Sequence, residues 1–299
     1  MNEVTNNHFN SKTLMEASET IDGKSGDDIP EKFADVYKEL FNRIDDTEEI
    51  NNVLKSLRID QNSMKEVNKI DSDLIKQAMN KIKTDKTDPI FDYTSDFLKE
   101  APDILYDHLA FIIRSFIIHG HVTKELLLAT MVPIIKDKLG DLSSSKNYRS
   151  ISISSLLLKL IDWIFITLYS KALQLDDFQY GLQENSSTSL CSWMALETIS
   201  FYNRKGSAVY GCLMDCTKAF DTVQPSLLFK KLMKVGIPDV IIRLLIHIYT
   251  KQTADVRWKA SYSREFTIKN GVRQGAILSP ILFCLYTVSY THLTLPTIL

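Results

Sequence analysis

The sequence predicts an α+β fold, with a helical N-terminal region followed by short strands that alternate with helices. The 299 residues are 44% hydrophobic and 24% charged, a composition typical of a globular protein with one large or two medium domains. Apolar residues recur at helical spacing in the first third, whereas later apolar runs are β-prone and bounded by Gly, Pro or Lys. The net charge of -2 does not indicate a basic surface over the whole protein, so any basic surface that binds nucleic acid has to be local.

The N-terminal third divides into a polar start and a helical region. Residues 1–30 are polar, lack an apolar signal-peptide core, and are expected to be disordered. Residues 31–120 carry helical patterning, as in "FADVYKELFNRI" and "DLIKQAMNKIK", and end in a helix whose cap is Gly120. The four cysteines lack the paired CxxC spacing of a zinc site. Nothing in their number or spacing suggests a disulfide framework, so a reducing compartment is favoured.

Two strands and a basic loop are predicted next, in "LLLATMVPIIKDKLGDLSSSKNYRSISI". The loop and its edges carry Lys136, Lys138, Lys146 and Arg149. These cations could bind phosphates, or they could simply keep a surface loop solvated; both interpretations stay open from the residues alone. An apolar helix is predicted to follow, over residues 154–173.

The apolar run 208–214 predicts a strand buried on both faces, with Asp215 at its carboxyl end. Cys212 and Cys216 on either side of that end are expected to be small buried hydrophobes. A carboxylate at a strand end is a natural ligand for Mg²⁺, which prefers oxygen donors. Asp215 by itself fits a helix or turn cap equally well.

The last hundred residues predict two helices, two strands and a glycine-containing turn. The helices are "PSLLFKKLMKVGIP" and "DVIIRLLIHIYTKQ", the strands are "ADVRWKA" and "REFTIKN", and the turn is "NGVRQGAILSP". Residues 276–299 carry no charge and are long enough to cross a bilayer. Pro280, Pro296 and several threonines favour a buried helix followed by a tail instead, so no membrane partner is expected.

Four motifs in this order, "VPIIKDKLGD", "NYRSIS", "MDCTKAFDTV" and "NGVRQGAILSPILFCLY", resemble the reverse transcriptase of a non-LTR (LINE-type) retrotransposon. The segment "DFQYGLQENSSTS" matches the same family, and the resemblance covers residues 31–286. A group II intron-type reverse transcriptase is a relative that would share the chemistry.

The resemblance implies a right-hand polymerase, with fingers at 121–205 and a partial palm at 206–287, without a thumb. It implies RNA-directed DNA polymerase activity on a template RNA, a DNA primer and deoxynucleoside triphosphates, with Mg²⁺ as the cofactor, two ions in the complete enzyme. It also implies an intracellular protein with access to the nucleus, although the sequence shows no clear basic import signal.

In this family resemblance, Asp215 is the first metal-binding catalytic aspartate, and the backbone carbonyl of Cys216 helps to hold the nucleotide-side ion. Phe220 is the steric gate that favours deoxynucleotides. For Asp221, a structural hydrogen-bonding role and a catalytic role both stay open. Arg273 is expected to contact template phosphate or base.

The nucleotide-binding residues implied by the resemblance lie in two segments. Lys136 and Arg149 hold the incoming triphosphate, with Lys138 as the competitor for the place of Lys136. Gln274 and Gly275 line the nucleotide pocket, where glycine allows the backbone to approach the substrate closely.

The sequence departs from the family after residue 286. The family continues into a turn with two adjacent aspartates, whereas the last acidic residue here is Glu265 and residues 288–299 look like a non-native tail. We therefore expect the 299-residue polypeptide to be inactive although derived from a polymerase. The alternative is a non-catalytic fragment that binds nucleic acid through phosphate contacts.

Overall fold

The computed structural model describes residues 18–174, 179–181, 186–212 and 217–291. Helices and a mixed sheet alternate along the chain, as the predicted α+β class requires. The helices are α1 Asp28–Leu40, α2 Thr47–Ser56, α3 Gln61–Asn68, α4 Ser72–Lys81, α5 Ser95–Lys99, α6 Asp103–His119, α7 Lys124–Leu127, α8 Leu156–Leu168, α9 Thr188–Arg204, α10 Pro225–Lys234, α11 Asp239–Thr250 and α12 Ser279–Thr291. The strands are β1 Thr20–Ile21, β2 Lys24–Ser25, β3 Leu128–Ile135, β4 Tyr148–Ser154, β5 Thr253–Trp258, β6 Ser261–Tyr262 and β7 Phe266–Thr267.

The main sheet has the strand order β4-β3-β5-β6, with β7 also paired to β5. Strands β3 and β4 form the predicted antiparallel hairpin, in a register that places Ile134 opposite Arg149. Strand β5 runs parallel to β3, and β6 and β7 run antiparallel to β5. One sheet therefore joins β3, from the segment expected to be fingers, to β5, from the segment expected to be palm.

Within the described ranges, buried apolar side chains form two cores. The smaller core lies between α1 and the sheet, where the ring of Phe33 packs 5.2 Å from that of Tyr148 and 5.4 Å from that of Trp258. The larger core is formed mainly by the helices and includes residues of α4, α6, α8, α10, α11 and α12. Edge-to-face and tilted aromatic pairs of this kind contribute about 0.5–1.5 kcal/mol each beyond their buried area.

The helical predictions are confirmed where the pattern is local. Helix α6 ends at Gly120, whose φ of 62° is the left-handed cap that the glycine predicts. The apolar helix predicted at 154–173 is found as α8, with residue 155 as its N-cap and a shorter C-terminus. The predicted pair after residue 224 is found as α10 and α11, with Pro225 in the first turn of α10.

Residues 18–30 differ from the disorder that their polar composition predicts. They form the β1–β2 hairpin and the start of α1. Ile21 and Ile29 are buried in the same core as Phe33, so these two isoleucines form the apolar anchor of an otherwise polar segment. Composition averages over the segment and therefore misses this anchor.

The buried strand expected at 208–214 is not found over its described part. Residues 207–212 are irregular and exposed, and Cys212 is exposed as well. A strand buried on both faces needs neighbouring strands and covering helices, and no described strand pairs with this segment. Residues 213–216 lie outside the described ranges.

Helix α12 covers part of the uncharged segment that could be mistaken for a membrane span. It has 13 residues, whereas a helix needs about 20 to cross a bilayer. Among the described residues, no helix is both long and apolar enough for that role.

His121 and His247 form a pair whose ring centroids are 4.4 Å apart, where α11 packs beside the end of α6. The Nε2 atom of His247 lies 3.3 Å from the carbonyl oxygen of Val122. Burial lowers the pKa of His247, the hydrogen bond with Val122 opposes this, and the charges of His121 and Lys251 lower the pKa further.

This lowered pKa predicts a loss of stability in mild acid. The unfolded chain takes up the imidazole proton near pH 6.5, before the native state does, so unfolding becomes easier as the pH falls from there through the folded pKa. We expect His247→Gln, which can still donate to Val122, to show a smaller drop in urea midpoint between about pH 8 and about pH 5.5. His119→Gln, at the exposed end of α6, is the control and should keep the full drop. An unchanged drop in His247→Gln would show that this pair does not set the acid sensitivity.

Candidate active site

The loop between β3 and β4 is held by hydrogen bonds at its base. The backbone N–H of Lys136 donates to the carbonyl of Asn147 at 2.8 Å. The Asn147 side chain accepts from the Asp137 N–H at 3.1 Å and donates to the Asp137 carbonyl at 2.7 Å. The Lys136 ammonium donates to the carbonyl of Lys146 at 2.8 Å. The basic loop is therefore an ordered turn with a fixed cation at its start.

Lys136 and Arg149 lie near each other at the base of the β3–β4 hairpin. Partial burial of its ammonium group lowers the pKa of Lys136, and the positive charges of Lys218 and Arg149 lower it further, while the carboxylate of Asp221 acts in the opposite direction. Lys218, Arg149 and Asp221 thus each lie within electrostatic range of Lys136, which places three cations and one anion in this region. Such an excess of positive charge favours a ligand with several negative charges, for which Arg offers paired hydrogen bonds and Lys a point charge.

Phe220 and Asp221 lie on a 3₁₀ turn, Ala219–Thr222, that begins after Lys218. Lys218 has a left-handed backbone, with φ of 53°, and its carbonyl accepts from the N–H of Asp221 at 3.0 Å. The half-buried ring of Phe220 stacks on that of Phe283, with centroids 4.8 Å apart and planes 22° apart. The turn is therefore anchored by α12 through its aromatic residue.

A second segment, residues 270–275, packs against this turn. Val272 N–H donates to the Phe220 carbonyl at 2.8 Å, and the Asn270 amide donates to the Asp221 carbonyl at 2.6 Å. The Gln274 amide donates to Oδ1 of Asp221 at 2.6 Å. Phe220 and Gln274, predicted from separate motifs, thus belong to one hydrogen-bonded unit.

Asp221 is buried, with 6% of its surface exposed. Burial raises the pKa of Asp221, while the hydrogen bond from Gln274 and the charges of Lys218 and Lys136 lower it in part. Its Oδ1 oxygen is already bound by Gln274. Of the two roles left open by the sequence, this placement favours the structural one.

Position 275 requires a glycine because the backbone there lies very close to strand β4 of the hairpin. Ser152 N–H donates to the Gln274 carbonyl at 2.7 Å, and a Cβ on Gly275 would lie 2.7 Å from the Ser152 carbonyl oxygen. With φ of 109°, the backbone at this position is one that only glycine adopts readily. Contact with β4 therefore accounts for the glycine, whatever the substrate.

Arg273 departs from the expected template contact. It is 5% exposed, and its guanidinium carbon lies 5.5 Å from the centre of the Tyr249 ring. Its charge acts on the buried Asp162 of α8. The Arg273 side chain is buried beside α8 and α11, so it is not presented to a nucleic acid. The motif alone does not reveal its internal neighbours, the Asp162 carboxylate and the Tyr249 ring.

Two residues of this region were not predicted. Lys218 adds a third cation beside Lys136 and Arg149, and its position in "TKAFD", two residues before Phe220, is the signal that could have indicated it. Asp162 could not have been found in this way, because nothing in the apolar stretch "LLLKLIDWIF" links it to Arg273.

Asp215 and Cys216, the expected metal-binding residues, lie outside the described ranges. Within those ranges, no group of three or more His, Cys, Asp or Glu side chains could hold a metal ion. The nearby Asp221 is buried and engaged by Gln274. The described residues alone therefore form no divalent-ion site, and the case for a metal at Asp215 and Cys216 rests on the sequence of the motif.

The sequence of the chain matches a known family and two curated relatives. Residues 135–294, more than half of the chain, match the family "Reverse transcriptase (RNA-dependent DNA polymerase)". The chain is 30% identical over 173 residues to a retrovirus-related Pol polyprotein from the type-1 retrotransposable element R2 of Popillia japonica, covering 57% of this chain and 24% of that protein. It is 24% identical over 164 residues to the type-2 element R2DM polyprotein of Drosophila melanogaster, covering 55% of this chain and 15% of that protein.

The chain thus aligns with a quarter or less of each of these relatives. The matched family begins at the end of β3 and includes the hairpin loop, the 3₁₀ turn and the segment 270–275. The chain therefore belongs to the reverse transcriptase family, RNA-directed DNA polymerases, and is of the non-LTR retrotransposon type.

Proposed function

We propose that this chain carries the nucleotide-binding part of an RNA-directed DNA polymerase that copies a template RNA from a DNA primer. In the reaction, the primer 3′ oxygen bonds to the α-phosphorus of a deoxynucleoside triphosphate, the bond to pyrophosphate breaks, and the hydroxyl proton is released. The observation that carries the proposal is the convergence of Lys136, Arg149 and the Phe220–Asp221 turn at one site, within the segment that matches the family.

Lys136 and Arg149 are proposed to bind the triphosphate. Both are exposed, both lie at the base of one hairpin, and Lys136 is held in place by the carbonyl of Lys146. A fixed cation binds an anion with a smaller loss of side-chain entropy than a mobile one. Lys138, exposed on the same loop, is the competing candidate for the place of Lys136.

Phe220 is proposed as the residue that selects deoxyribose, since its stack on Phe283 fixes the ring. Gln274 is proposed to act on the nucleotide mainly through Asp221, to which its amide is bonded. The finer division into fingers at 121–205 and palm at 206–287 is part of the same proposal, and β3–β4 is then the fingers hairpin.

Reverse transcriptase family enzymes generally use divalent metal ions. We propose Mg²⁺, with the Asp215 carboxylate and the Cys216 carbonyl as ligands and two ions in the complete enzyme. Such ions stabilise the attacking and leaving oxygens of a phosphoryl transfer. The proposal rests on the hard oxygen donors of the motif "MDCTKAFD".

The polypeptide of these 299 residues is proposed to bind nucleotides without incorporating them. Among the described residues no group of three or more metal-ligating side chains could help to hold a pair of divalent ions, and Asp221 of the same motif is engaged by Gln274. The second candidate is a non-catalytic nucleic-acid-binding fragment, which the cluster of three cations would also serve.

Nucleotide binding by the purified polypeptide tests the proposal. We expect a fluorescent deoxynucleoside triphosphate to bind, with the affinity falling at least about tenfold in Lys136→Ala and in Arg149→Ala, because each removes a charged hydrogen-bond donor. Lys83→Ala, an exposed lysine after α4, is the control and should bind normally. Fluorescence anisotropy gives the affinities, and primer extension with Mg²⁺ should be absent.

Three other results would be informative. Primer extension by the polypeptide would contradict the proposed inactivity. Triphosphate binding that ignores Lys136 and Arg149 would refute the assigned binding site. Salt-sensitive RNA binding without any triphosphate binding would favour the second candidate function.

A further inference from the structure

The β1–β2 hairpin contacts the loop that carries Lys136. Its turn contains Asp22, with φ of 47°, and Gly23, with φ of 78°. The N–H of Asp22 donates to the Ser143 carbonyl at 2.7 Å, and its Oδ1 accepts from the Ser145 N–H at 3.1 Å. Both contacts reach across more than a hundred residues to the loop between β3 and β4. The hairpin therefore acts as a brace for this loop.

A short chain of bonds connects Asp22 to Lys136. Ser145 begins the 3₁₀ turn Ser145–Asn147, and the next residue, Lys146, provides the carbonyl that accepts from the Lys136 ammonium at 2.8 Å. Asn147, the last residue of the turn, binds the backbone of Lys136 at 2.8 Å. A shift of this turn would therefore move both groups that fix Lys136.

The contact between Asp22 and Ser145 is supported by the backbone conformation, the charge and the surroundings of Asp22. Asp22 holds a left-handed backbone that costs a non-glycine residue energy, although aspartate tolerates it better than most. The hydrogen bond with Ser145 is the main cause that lowers the pKa of the Asp22 carboxyl, and partial burial opposes it. The carboxyl is therefore ionised at neutral pH, when a charged acceptor strengthens the bond. Ile21, fully buried beside it, keeps the hairpin in place.

We propose that Asp22 is a positioning residue for nucleotide binding, which holds the Ser145–Asn147 turn so that Lys136 stays aligned with Arg149. This inference rests on the proposed function, because it assumes that Lys136 binds the triphosphate. Asp22 itself does not touch the substrate. Its effect passes through the loop, so the hairpin and the nucleotide stabilise each other.

Two substitutions of Asp22 distinguish the role of its side-chain acceptor from the role of its left-handed backbone. Asp22→Gly keeps the left-handed turn and removes the acceptor, whereas Asp22→Asn keeps both an acceptor and a tolerated backbone. We expect Asp22→Gly to weaken triphosphate binding about fivefold or more and Asp22→Asn to stay within about twofold of the unmodified chain. Affinities are measured by anisotropy, at a temperature where circular dichroism shows all variants folded.

Two controls exclude a general loss of stability. Asp27→Gly removes a carboxylate of the same region that accepts from Ser261 rather than from the loop, and should bind triphosphate normally. Lys32→Ala removes the 3.7 Å ion pair of Asp22, which is partly exposed, and should also bind normally. An equal loss of affinity in Asp27→Gly would overturn the inference.

Hydrogen exchange supplies a readout that a merely structural role would not move. Bound triphosphate should slow exchange of the Ser145 N–H in the unmodified chain and in Asp22→Asn, but much less in Asp22→Gly. If Asp22→Gly binds as tightly as the unmodified chain while Lys136→Ala does not bind, the positioning role is wrong and the proposed function stands. If the unmodified chain binds no triphosphate, the proposed function fails, and the positioning role fails with it.

Discussion

Substitution of Asp162 by asparagine is expected to lower the free energy of unfolding by about 3–5 kcal/mol, because it leaves Arg273 as a buried charge without its counter-charge. Adding Arg273→Met to that variant should recover roughly 2 kcal/mol of the loss. A second substitution that repairs the first is the mark of an electrostatic pair. Urea unfolding of the four species, with unchanged slopes, measures the effect.

The expected loss of stability rests on the burial of the Asp162 and Arg273 side chains. Asp162 is 3% exposed and Arg273 5% exposed. Burial raises the pKa of Asp162, and the Arg273 charge together with the N–H groups of Leu278 and Ile277 offsets this only in part. The Nε atom of Arg273 has no hydrogen-bond partner within the described part of the chain. Desolvation thus outweighs attraction, so the neutral double variant should regain part of the stability that Asp162→Asn loses.

Asparagine is the informative replacement because Oδ2 of Asp162 accepts from the Leu278 N–H at 3.3 Å. Asparagine can still accept this bond, so the contact with Leu278 is kept while the charge is lost. Asp46→Asn is the matched control: Asp46 is also buried, but its acceptors bind the neutral groups of Ser226 and Gln224. Its effect should add to that of Arg273→Met without repair. Simple additivity for Asp162 and Arg273 as well would show that the two charges do not interact.

The sequence predicted those parts of the fold that depend on local pattern. Gly120 ends α6 where the helical periodicity stops, and the two β-prone runs around the basic loop form the β3–β4 hairpin. Antiparallel pairing places Arg149 opposite Ile134, close to Lys136, so the expected neighbourhood of the two cations follows from one hairpin register.

Non-local contacts account for the differences. The parallel pairing of β3 with β5 joins segments that the family resemblance assigns to different subdomains. Arg273 looks like an exposed motif residue until Asp162 and Tyr249 are placed beside it. The apolar run before Asp215 is exposed over residues 207–212, because its burial depends on neighbours rather than on its own composition.

Gly271→Ala is expected to have the other large effect, a loss of about 3 kcal/mol or more in unfolding free energy. A Cβ at this position would lie 2.9 Å from the carbonyl oxygens of both Phe220 and Asp221. These are backbone atoms of the 3₁₀ turn, which cannot move aside as a flexible side chain would. The backbone φ of 89° adds a left-handed cost of about 1–2 kcal/mol to an overpacking cost of about 1–3 kcal/mol.

Gly236→Ala separates these two costs. Gly236 has a similar φ of 83°, but no atom lies within 4 Å of its would-be Cβ. It should therefore lose only the conformational part, about 1 kcal/mol. The difference between the two variants, measured by urea unfolding, is then the strain of pushing the Phe220–Asp221 turn away from residues 270–275.

Gly271→Ala should also weaken triphosphate binding. The N–H of Gly271 donates to the Val223 carbonyl at 2.8 Å, and Gln274 of the same segment holds Asp221. Displacement of the turn moves Phe220 and the charges of Lys218 and Asp221 relative to Lys136. Gly236→Ala, placed after α10, should leave the affinity unchanged. If Gly271→Ala is no more destabilising than Gly236→Ala, the turn does not depend on residues 270–275. Its place beside Lys136 would then have to come from α12, through the stack of Phe220 on Phe283.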